Sequence, residues 1–474
     1  MAPADFAKVA PEDPLTAEKK DVWPLWKLVL IALPQLGVQV LWCFIGPNSA
    51  DYMLHLGIGP ALATLNNIAG PITGFFTGPL VGATSDQCTS RFGRRRPVIL
   101  AGLISVWIAG VLFASSEHIF SGSTAVAFAA PMYWIMDITI NILQTPHRAL
   151  VADLASPEQQ VPMQVVFVVM MACGNFIAFS IMQVYPEPVQ HMLELMLYIC
   201  GFNTLCVGIQ FLVAKETPHT RDPQAPAATC CSPLAEVAES VKGMPGLLYH
   251  LAAVQCLVWI GNTAWNLYGG QWMAYSVYGG VQRAEPGTPE RTAYEAGKLA
   301  FSLGGQCKAL LQLVSALVII AILLKTPVRP RLVYAPCLFV GALFDFLAAF
   351  AVGSSGIFAM VCLAVSVMPE TGSFAIPFGL VATLNKRAEE EGKHVSTALQ
   401  MALINCCVTV GQQICTLTLA CIQGKMTLAT SLPCILAFAG VTHGLGGFTA
   451  LFLDDRPADE QPADEHPASR PLAA

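Results

Sequence analysis

The chain has few charged residues for its length. Asp, Glu, Lys and Arg make up 12% of its 474 residues, whereas 54% are hydrophobic. A water-soluble domain carries about 25% charged residues, so most of this surface must face something other than water. There is also no basic stripe of the kind that binds nucleic acid. The composition therefore excludes a soluble globular protein and a nucleic-acid partner, and it predicts a lipid bilayer as the main surroundings.

The chain also lacks the short motifs of several enzyme classes. No P-loop, HExxH or GxSxG sequence is present, and the N-terminal residues lack the apolar core of a cleavable signal peptide. Most of the sixteen cysteines lie in apolar runs, where we interpret them as small apolar filler rather than a disulfide framework. Cys230 and Cys231 have no second Cys or His pair nearby to complete a metal site. We expect no enzyme activity, no cofactor and no metal.

Twelve stretches are apolar over the roughly 20 residues that a membrane-spanning helix needs. The longest internal polar segment, 215–248, follows the sixth stretch, so the spans divide six and six around a linker. We expect an N-terminal tail at 1–24, bundles at 25–214 and 249–453, and a disordered tail at 454–474. The predicted spans are 25–47, 61–84, 98–115, 123–146, 163–184, 193–214, 249–275, 301–324, 332–353, 356–384, 397–422 and 428–453.

Lys and Arg indicate the orientation, because they concentrate in cytoplasmic loops. One set of loops carries thirteen of them, including the cluster around Arg94 and those that flank the ninth span. The opposite set carries only Arg283, Arg291, Lys298 and Lys425. We therefore expect both tails and the linker on the cytoplasmic side.

The most specific motif lies between spans two and three and reads GATSDQCTSRFGRRRP. A short basic turn alone would satisfy the charge rule. Asp86 and the Gly-Arg-Arg-Arg cluster enclose a turn that is too tight for a passive linker. The charges of this turn can pair with neighbouring helix ends. We interpret the loop as a gate that latches the cytoplasmic side. Its candidate residues are Asp86, Arg91, Gly93, Arg94, Arg95 and Arg96.

Asp137 is an ionisable residue well inside the fourth span. An acid at that depth is costly and is a functional candidate by default. Desolvation favours its neutral form, so it can bind and release a proton; the alternative is a carboxylate neutralised by another buried side chain. Arg148 follows about 16 Å further along the axis at 1.5 Å per residue. We predict that Arg148 is a charge in the cavity or part of a gate. The alternative is that its side chain extends to the membrane–water interface.

The seventh span places Asn262, Trp265 and Asn266 at i, i+3 and i+4, on one helix face. Amides hydrogen-bond to hydroxyls, and aromatic rings stack on the apolar face of a sugar. The alternative is ordinary packing between helices.

Two more acids lie in predicted spans. Glu370 in span ten is a further ionisable residue at membrane depth and hence a functional candidate. Asp345 in span nine is interpreted as half of a structural pair, with Lys308 as one conceivable partner.

The loop motif resembles the loop between helices two and three of the major facilitator superfamily. In its SD-CTSRFGRRRP form it is similar to the sucrose transporter branch, among the glycoside–pentoside–hexuronide cation symporters. Further similar segments are NILQTPHRALVADL at Asn141–Leu154, KETP at Lys215–Pro218 and FAIPF at Phe374–Phe378. The similarity is dense in the N-terminal half and patchier in the C-terminal half.

This resemblance implies an all-α membrane protein with twelve helices in two six-helix bundles around a midplane site. It implies a symporter that moves a proton with sucrose, or a related disaccharide or glucoside, by alternating access. Asp137 would act in sugar binding and proton coupling, and Arg148 in translocation. Helices one, four, seven and ten line the cavity in this superfamily, which adds Gln39 and supports Glu370. The candidate substrate-binding residues are Gln39, Asp137, Asn141, Arg148, Asn262, Asn266 and Trp272.

Two alternatives remain. Relatives usually carry acids where this chain has Gly269 and Gln271, so an uncoupled sugar facilitator is one rival, although Glu370 could replace those acids. A transporter-like sugar sensor is the other. We expect sugar, proton and lipid as the partners, and a monomer as the working form. We expect the plasma membrane as the location, with the vacuolar membrane as the alternative.

Overall fold

The computed structural model describes residues 23–86, 88–154, 160–216, 246–326, 328–351, 355–390 and 397–453. Within these ranges every regular element is a helix. The all-α prediction is therefore confirmed, and it has a simple cause: in lipid each backbone polar group must be satisfied within its own segment. Residues 1–22, 454–474 and most of the predicted linker lie outside the described residues.

The described residues of the N-terminal half form eight α-helices and one short 3-10 turn at Pro188–His191. In chain order these are α1 (Leu25–Leu56), α2 (Pro60–Asn66), α3 (Ala69–Asp86), α4 (Arg96–Ala114), α5 (Ser116–Ile119), α6 (Ser123–Leu154), α7 (Gln160–Val184) and α8 (Met192–Val213).

In the described part of the C-terminal half there are seven α-helices and one π-helical segment at Trp272–Val277, directly after α9. They are α9 (Gly246–Gln271), α10 (Pro289–Lys325), α11 (Pro330–Ala349), α12 (Gly356–Val365), α13 (Val367–Glu390), α14 (Thr397–Gln423) and α15 (Leu428–Leu451).

Eleven helical stretches of the described chain are long and apolar enough to cross a membrane. The remaining predicted span, 61–84, is divided: α2 ends at Asn66 and α3 begins at Ala69, and α3 is not among the eleven. The α3 sequence AGPITGFFTGPLVGATSD is rich in Gly and Thr, which lowers its hydropathy. Helix α3 packs against α6 and α14. At Gly78 and Gly82 it faces open space.

Two helices extend well beyond the apolar runs from which they were predicted. Helix α1 continues to Leu56, past the expected end at residue 47, and α10 begins at Pro289, twelve residues before the expected start at 301. The added turns contain charged residues, among them Asp51 in α1 and Lys298 in α10. A prediction from hydropathy ends a span at charged residues such as Asp51 and Lys298, although both are buried in the structure.

Helices seven and ten of the predicted set are both irregular, the seventh at its C-terminal end and the tenth within its length. Helix α9 passes into the π-helical segment at Trp272, and α12 gives way to α13 at Ser366, four residues before Glu370. Interrupted helices are typical of transporter binding sites, and π-helical turns often mark functional sites.

Candidate functional site

Helix α6 carries a polar row through the middle of the N-terminal half. Asp137, Asn141 and Gln144 are spaced at i, i+4 and i+7, so they share one face. The Asn141 amide donates to the Asp137 backbone carbonyl at 3.0 Å and lies 3.4 Å from its carboxylate Oδ2. The Gln144 amide in turn donates to Asn141 Oδ1 at 2.8 Å. The row is thus connected by hydrogen bonds from the acid towards the cytoplasmic end.

The Asp137 carboxyl is buried and is held by polar groups that carry no charge. The Thr73 hydroxyl of α3 donates to Oδ2, whereas Oδ1 is buried without a hydrogen-bond partner. In the described part of the chain, no Lys, Arg or His forms an ion pair with this carboxyl. An acid buried without a cation is costly while it is ionised, so this site suits a group that binds and releases a proton.

A row of glycines on α3 faces the same acid. Gly70, Gly74, Gly78 and Gly82 recur every four residues and therefore lie on one face. A Cβ atom on Gly70 would lie 3.4 Å from Asp137 Oδ1, and one on Gly74 would lie 3.9 Å from Asn141 Oδ1. At Gly78 and Gly82 a Cβ would meet no atom within 4 Å. Gly70 and Gly74 thus let α3 lie close to Asp137 and Asn141, whereas Gly78 and Gly82, nearer the cytoplasmic end, face open space.

Helix α1 supplies polar and aromatic groups opposite the row. The Trp42 indole donates to Gln144 Oε1 at 3.2 Å, and Arg148 Nε donates to Gln35 Oε1 at 3.2 Å. Trp42 is half-buried, and Arg148 is exposed, which fits a charge that faces open space rather than the protein core. Sequence reasoning missed Gln35, Trp42 and Gln144; the i+7 spacing from Asp137 was the available signal for Gln144.

Gln39 takes part in a chain of amides that joins the two halves. Its Nε2 donates to Asn175 Oδ1 at 2.9 Å, and Asn175 Nδ2 donates to Gln312 Oε1 of α10 at 3.0 Å. Gly174 allows this contact, because a Cβ there would lie 2.8 Å from the Gln39 Cβ and 2.9 Å from the Leu36 carbonyl oxygen. The predicted cavity amide of span one is therefore coupled to helix α10, a helix from which the sequence predicted no site residue.

Glu370 lies beside a lysine of the same half. Its Oε2 is 3.1 Å from Lys308 Nζ, and Lys308 also donates to Asn266 Oδ1 at 2.8 Å. The suggested partnership of Lys308 with Asp345 was wrong. Asp345 is instead 2.6 Å from His443 Nδ1 and accepts from the Trp265 indole at 2.6 Å. The pairs separate because α10 faces α13 and α9, whereas Asp345 of α11 faces α15.

The predicted sugar face of span seven is divided in the structure. Trp265 points to Asp345 and Asn266 to Lys308, while both amide atoms of Asn262 are buried without a hydrogen-bond partner. Trp272 is 0% exposed and packs edge to face against Trp265, with ring centroids 5.3 Å apart. Asn266 is thus the member closest to the charged pair, and contact of Trp272 with a substrate would require movement. These assignments stay predictions.

The predicted gating loop is organised around Glu216, the acid of the KETP segment. Its carboxylate accepts from the backbone N–H groups of Arg94 and Arg95 at 2.9 and 2.8 Å and of Arg96 at 3.2 Å. These groups form the N-terminus of α4, where the helix dipole favours a negative charge. Gly93 has φ +98°, and a Cβ there would lie 2.3 Å from Glu216 Oε2, so glycine is required.

The arginine side chains of the same loop reach three other helix ends. Arg94 and Arg95 pair with Asp153 at 2.8 and 3.0 Å, and Arg95 also donates to Ser85. Arg96 donates to the Phe211 carbonyl at 2.8 Å. The loop therefore ties the cytoplasmic ends of α3, α4, α6 and α8 together.

The other two loop candidates add less. Arg91 stacks on the neighbouring Phe92 ring at 4.8 Å. Asp86 is the last residue of α3, and its side chain lies outside the described residues. A gating role for the loop stays a prediction.

These features define a class of protein: a multi-pass membrane transporter with a polar site between two helical halves. A family model described as MFS/sugar transport protein matches residues 30–267, about half of the chain. The chain belongs to this family.

Curated relatives carry sucrose in their names. The chain is 38% identical over 170 residues to sucrose transport protein SUT4 of Oryza sativa subsp. indica, covering 32% of this chain and 28% of the relative. It is 28% identical over 311 residues to sucrose transport protein SUC4 of Arabidopsis thaliana, covering 58% of this chain and 59% of the relative. The chain thus spans between about a quarter and three-fifths of the length of these relatives.

Solved structures share the fold. The crystal structure of a D-xylose-proton symporter aligns with 92% of this chain and 99% of its own, at a TM-score of 0.62 and 12% sequence identity. The nucleoside transporter NupG aligns with 90% and 99%, at a TM-score of 0.64 and 12% identity. At this identity the similarity establishes the fold alone, and it confirms the predicted arrangement of two six-helix bundles.

Proposed function

We propose that the protein is a secondary active transporter that moves sucrose, or a related disaccharide or glucoside, together with a proton. The observation that carries the proposal is the hydrogen-bonded row on α6, in which a buried carboxyl without a cation partner is held by neutral polar groups. The names of the sucrose transport proteins support the class of substrate. The resemblance in the loop motif supports the same assignment.

In this proposal Asp137 is the coupling group. Uptake of a proton removes its charge, and the neutral carboxyl can then donate a hydrogen bond to a sugar hydroxyl. Asn141 is within reach of the same ligand, since it is 3.4 Å from the carboxylate. Release of the proton on the cytoplasmic side restores the charge and disfavours the loaded state. Alternating access would arise from movement of the two bundles around this site.

Other residues would complete the sugar site. Gln39 of α1 and Asn266 of α9 approach from the two halves, each through a hydrogen bond that a sugar hydroxyl can replace. Asn262 offers an amide with no partner, and Arg148 provides an exposed donor on the cytoplasmic side of the row. Trp42, half-buried and anchored by Gln144, offers an aromatic ring for stacking, and Trp272 joins the site only if its helix moves.

Glu370 is proposed as a second coupling acid, because it lies where α13 begins and is paired with Lys308. Protonation of Glu370 would break its ion pair with Lys308. A proton would therefore change the pair as a whole and not Glu370 alone. The gating role of Asp86 and the Arg91–Arg96 loop is part of the same proposal, supported by the contacts of the loop with the ends of three other helices. The plasma membrane and a monomeric working form rest on the resemblance alone.

The decisive experiment is uptake by purified protein in liposomes. Radiolabelled sucrose, maltose and a simple glucoside are supplied under an inward proton gradient, with a pH-sensitive dye inside to record proton entry. We expect sucrose accumulation with matching acidification, both abolished by Asp137→Asn and retained by the control Asp345→Asn. Sugar entry without acidification would instead support an uncoupled facilitator, and no uptake of any sugar would refute the substrate assignment.

A further inference from the structure

A buried ion pair joins the two halves outside the site described above. Lys298 Nζ of α10 lies 2.8 Å from Asp51 Oδ2 of α1. The Asp51 side chain is 0% exposed, and that of Lys298 is 3% exposed. Both charges are therefore withdrawn from water and depend on each other across the boundary between the bundles.

The surroundings complete the Asp51 site from the C-terminal half. Gln271 Nε2 donates to Asp51 Oδ1 at 2.8 Å, and Gln282 Nε2 donates to the Asp51 backbone oxygen at 3.4 Å. Lys298 has a second acceptor in Asn48 Oδ1, at 3.4 Å. Both carboxylate oxygens of an α1 residue are thus held by side chains of the opposite bundle.

The pair lies near the face that the charge rule places outside the cytoplasm, here called the outer face. Asp51 is five residues before the end of α1 at Leu56. Around it, Arg283 Nη2 donates to the Leu54 carbonyl at 2.6 Å, and Arg291 pairs with Glu187. These contacts also join the two halves, so they form a belt around the buried pair.

The cytoplasmic face of the described chain differs. The contacts of the 91–96 loop reach Asp153, Phe211 and Glu216, all of which belong to the N-terminal half. At Gly78 and Gly82 of α3, towards the same face, an added Cβ would meet no atom within 4 Å. The structure is therefore closed at the outer face.

Opening the outer face must separate α1 from α10 and so break the pair. A conformational equilibrium shifts only through interactions that differ between its states. The Asp51–Lys298 pair is such an interaction, because it is present in this structure and cannot persist once α1 and α10 separate. We propose that Asp51 and Lys298 are positioning residues that form the outer gate of the carrier, and that their pairing sets the balance between outer-closed and outer-open states. The inference rests on the proposed transport function, but its test does not require a sugar.

The test is hydrogen–deuterium exchange of the purified full chain in lipid nanodiscs, without substrate. The variants are Asp51→Asn, Lys298→Gln and the double variant, with Asp345→Asn as a control that disrupts a buried pair within one half. Each single variant leaves one buried charge without its partner, which favours the hydrated open state. We expect exchange to rise about fivefold or more in peptides 46–58 and 272–290. Peptides covering 91–96 and 211–216 should be unchanged or slower.

The double variant distinguishes a gate from general damage. It removes both charges and retains two groups that can hydrogen-bond, so its exchange at the outer face should rise less than in either single variant. The control should leave the outer peptides unchanged. Unchanged outer exchange in the single variants would overturn the proposal, as would an equal rise at both faces. A failure of sucrose uptake in liposomes would refute the sugar assignment without altering this result.

Discussion

The two halves of the molecule treat their buried acids differently. In the N-terminal half, the mid-membrane Asp137 is held by a hydroxyl and an amide. In the C-terminal half, Glu370 lies 3.1 Å from Lys308, and Asp345 lies 2.6 Å from His443. Apart from Asp51, whose cation partner lies in the opposite half, the described residues thus show one buried acid without a cation in the N-terminal bundle and two acids with one in the C-terminal bundle.

This difference assigns different tasks to the halves. A carboxyl without a cation can change its charge with little rearrangement around it, whereas a paired acid must first lose its partner. We infer that the N-terminal half carries the proton and the C-terminal half responds to it. The sugar accumulation ratio under an imposed membrane potential reports how these different tasks of the two halves contribute to coupling. The following predictions therefore all use this ratio.

The largest effect is expected for Asp137→Asn. If one proton moves with each sugar, 100 mV provides about 2.3 kcal/mol, which corresponds to a sugar gradient of roughly 40-fold. Without the titratable carboxyl the sugar only equilibrates, so the ratio should fall to about 1. Radiolabelled sucrose in liposomes with a potassium-diffusion potential measures the ratio, and exchange of sugar at equal concentrations checks that the carrier still cycles. Retention of half the gradient or more would place the coupling elsewhere.

Lys308→Met should have the next largest effect. It leaves Glu370 buried without a cation, so this acid must bind a proton of its own and compete with the cycle of Asp137. We expect the accumulation ratio to fall roughly tenfold, which corresponds to about 1.4 kcal/mol. The double variant Lys308→Met with Glu370→Gln removes both charges and should recover part of the gradient. A double variant as poor as the single one would show that Lys308 acts independently of Glu370.

Glu370→Gln alone should have a smaller effect. Lys308 keeps its contact with Asn266, so one acceptor of the lysine remains. We expect a loss of about threefold in accumulation and a weaker dependence of uptake on external pH. The pH profile is the deciding measurement, because an unchanged profile would remove Glu370 from the coupling mechanism.

Asp345→Asn should have the smallest effect on accumulation, less than about twofold. Its role is structural, since it accepts from Trp265 and pairs with His443, both buried. Hydrogen bonds to charged groups contribute about 1.5–3 kcal/mol, so the apparent melting temperature in detergent should fall clearly. A loss of coupling as severe as that of Asp137→Asn would contradict the division between the halves.

Much of the fold could be predicted from the sequence, because a membrane-spanning helix depends on local composition. Eleven of the twelve predicted spans correspond to helices that are apolar and long enough to cross a membrane. The exception, 61–84, is interrupted at residues 67–68, just before the glycine-rich segment that lies against Asp137. Asp137 itself was found because an acid within an apolar run stands out in the sequence.

The outer gate could not have been found in this way. Asp51 lies beyond the predicted end of the first span, and Lys298 lies in what was predicted to be a loop. Each charge lowers the local hydropathy, so each was assigned to water. In the fold they neutralise each other, and α1 and α10 continue through them as helices.

The sequence by itself determined the membrane class, the six-plus-six division and the presence of a mid-membrane acid, since each depends on neighbouring residues along the chain. Only the tertiary structure decided which buried charges are paired. Lys298 and Asp51 are 247 positions apart, and Lys308 could not be assigned to Glu370 rather than Asp345 from spacing. Ion-pair energies depend on distances of a few ångströms, and helix packing alone sets those distances between remote segments.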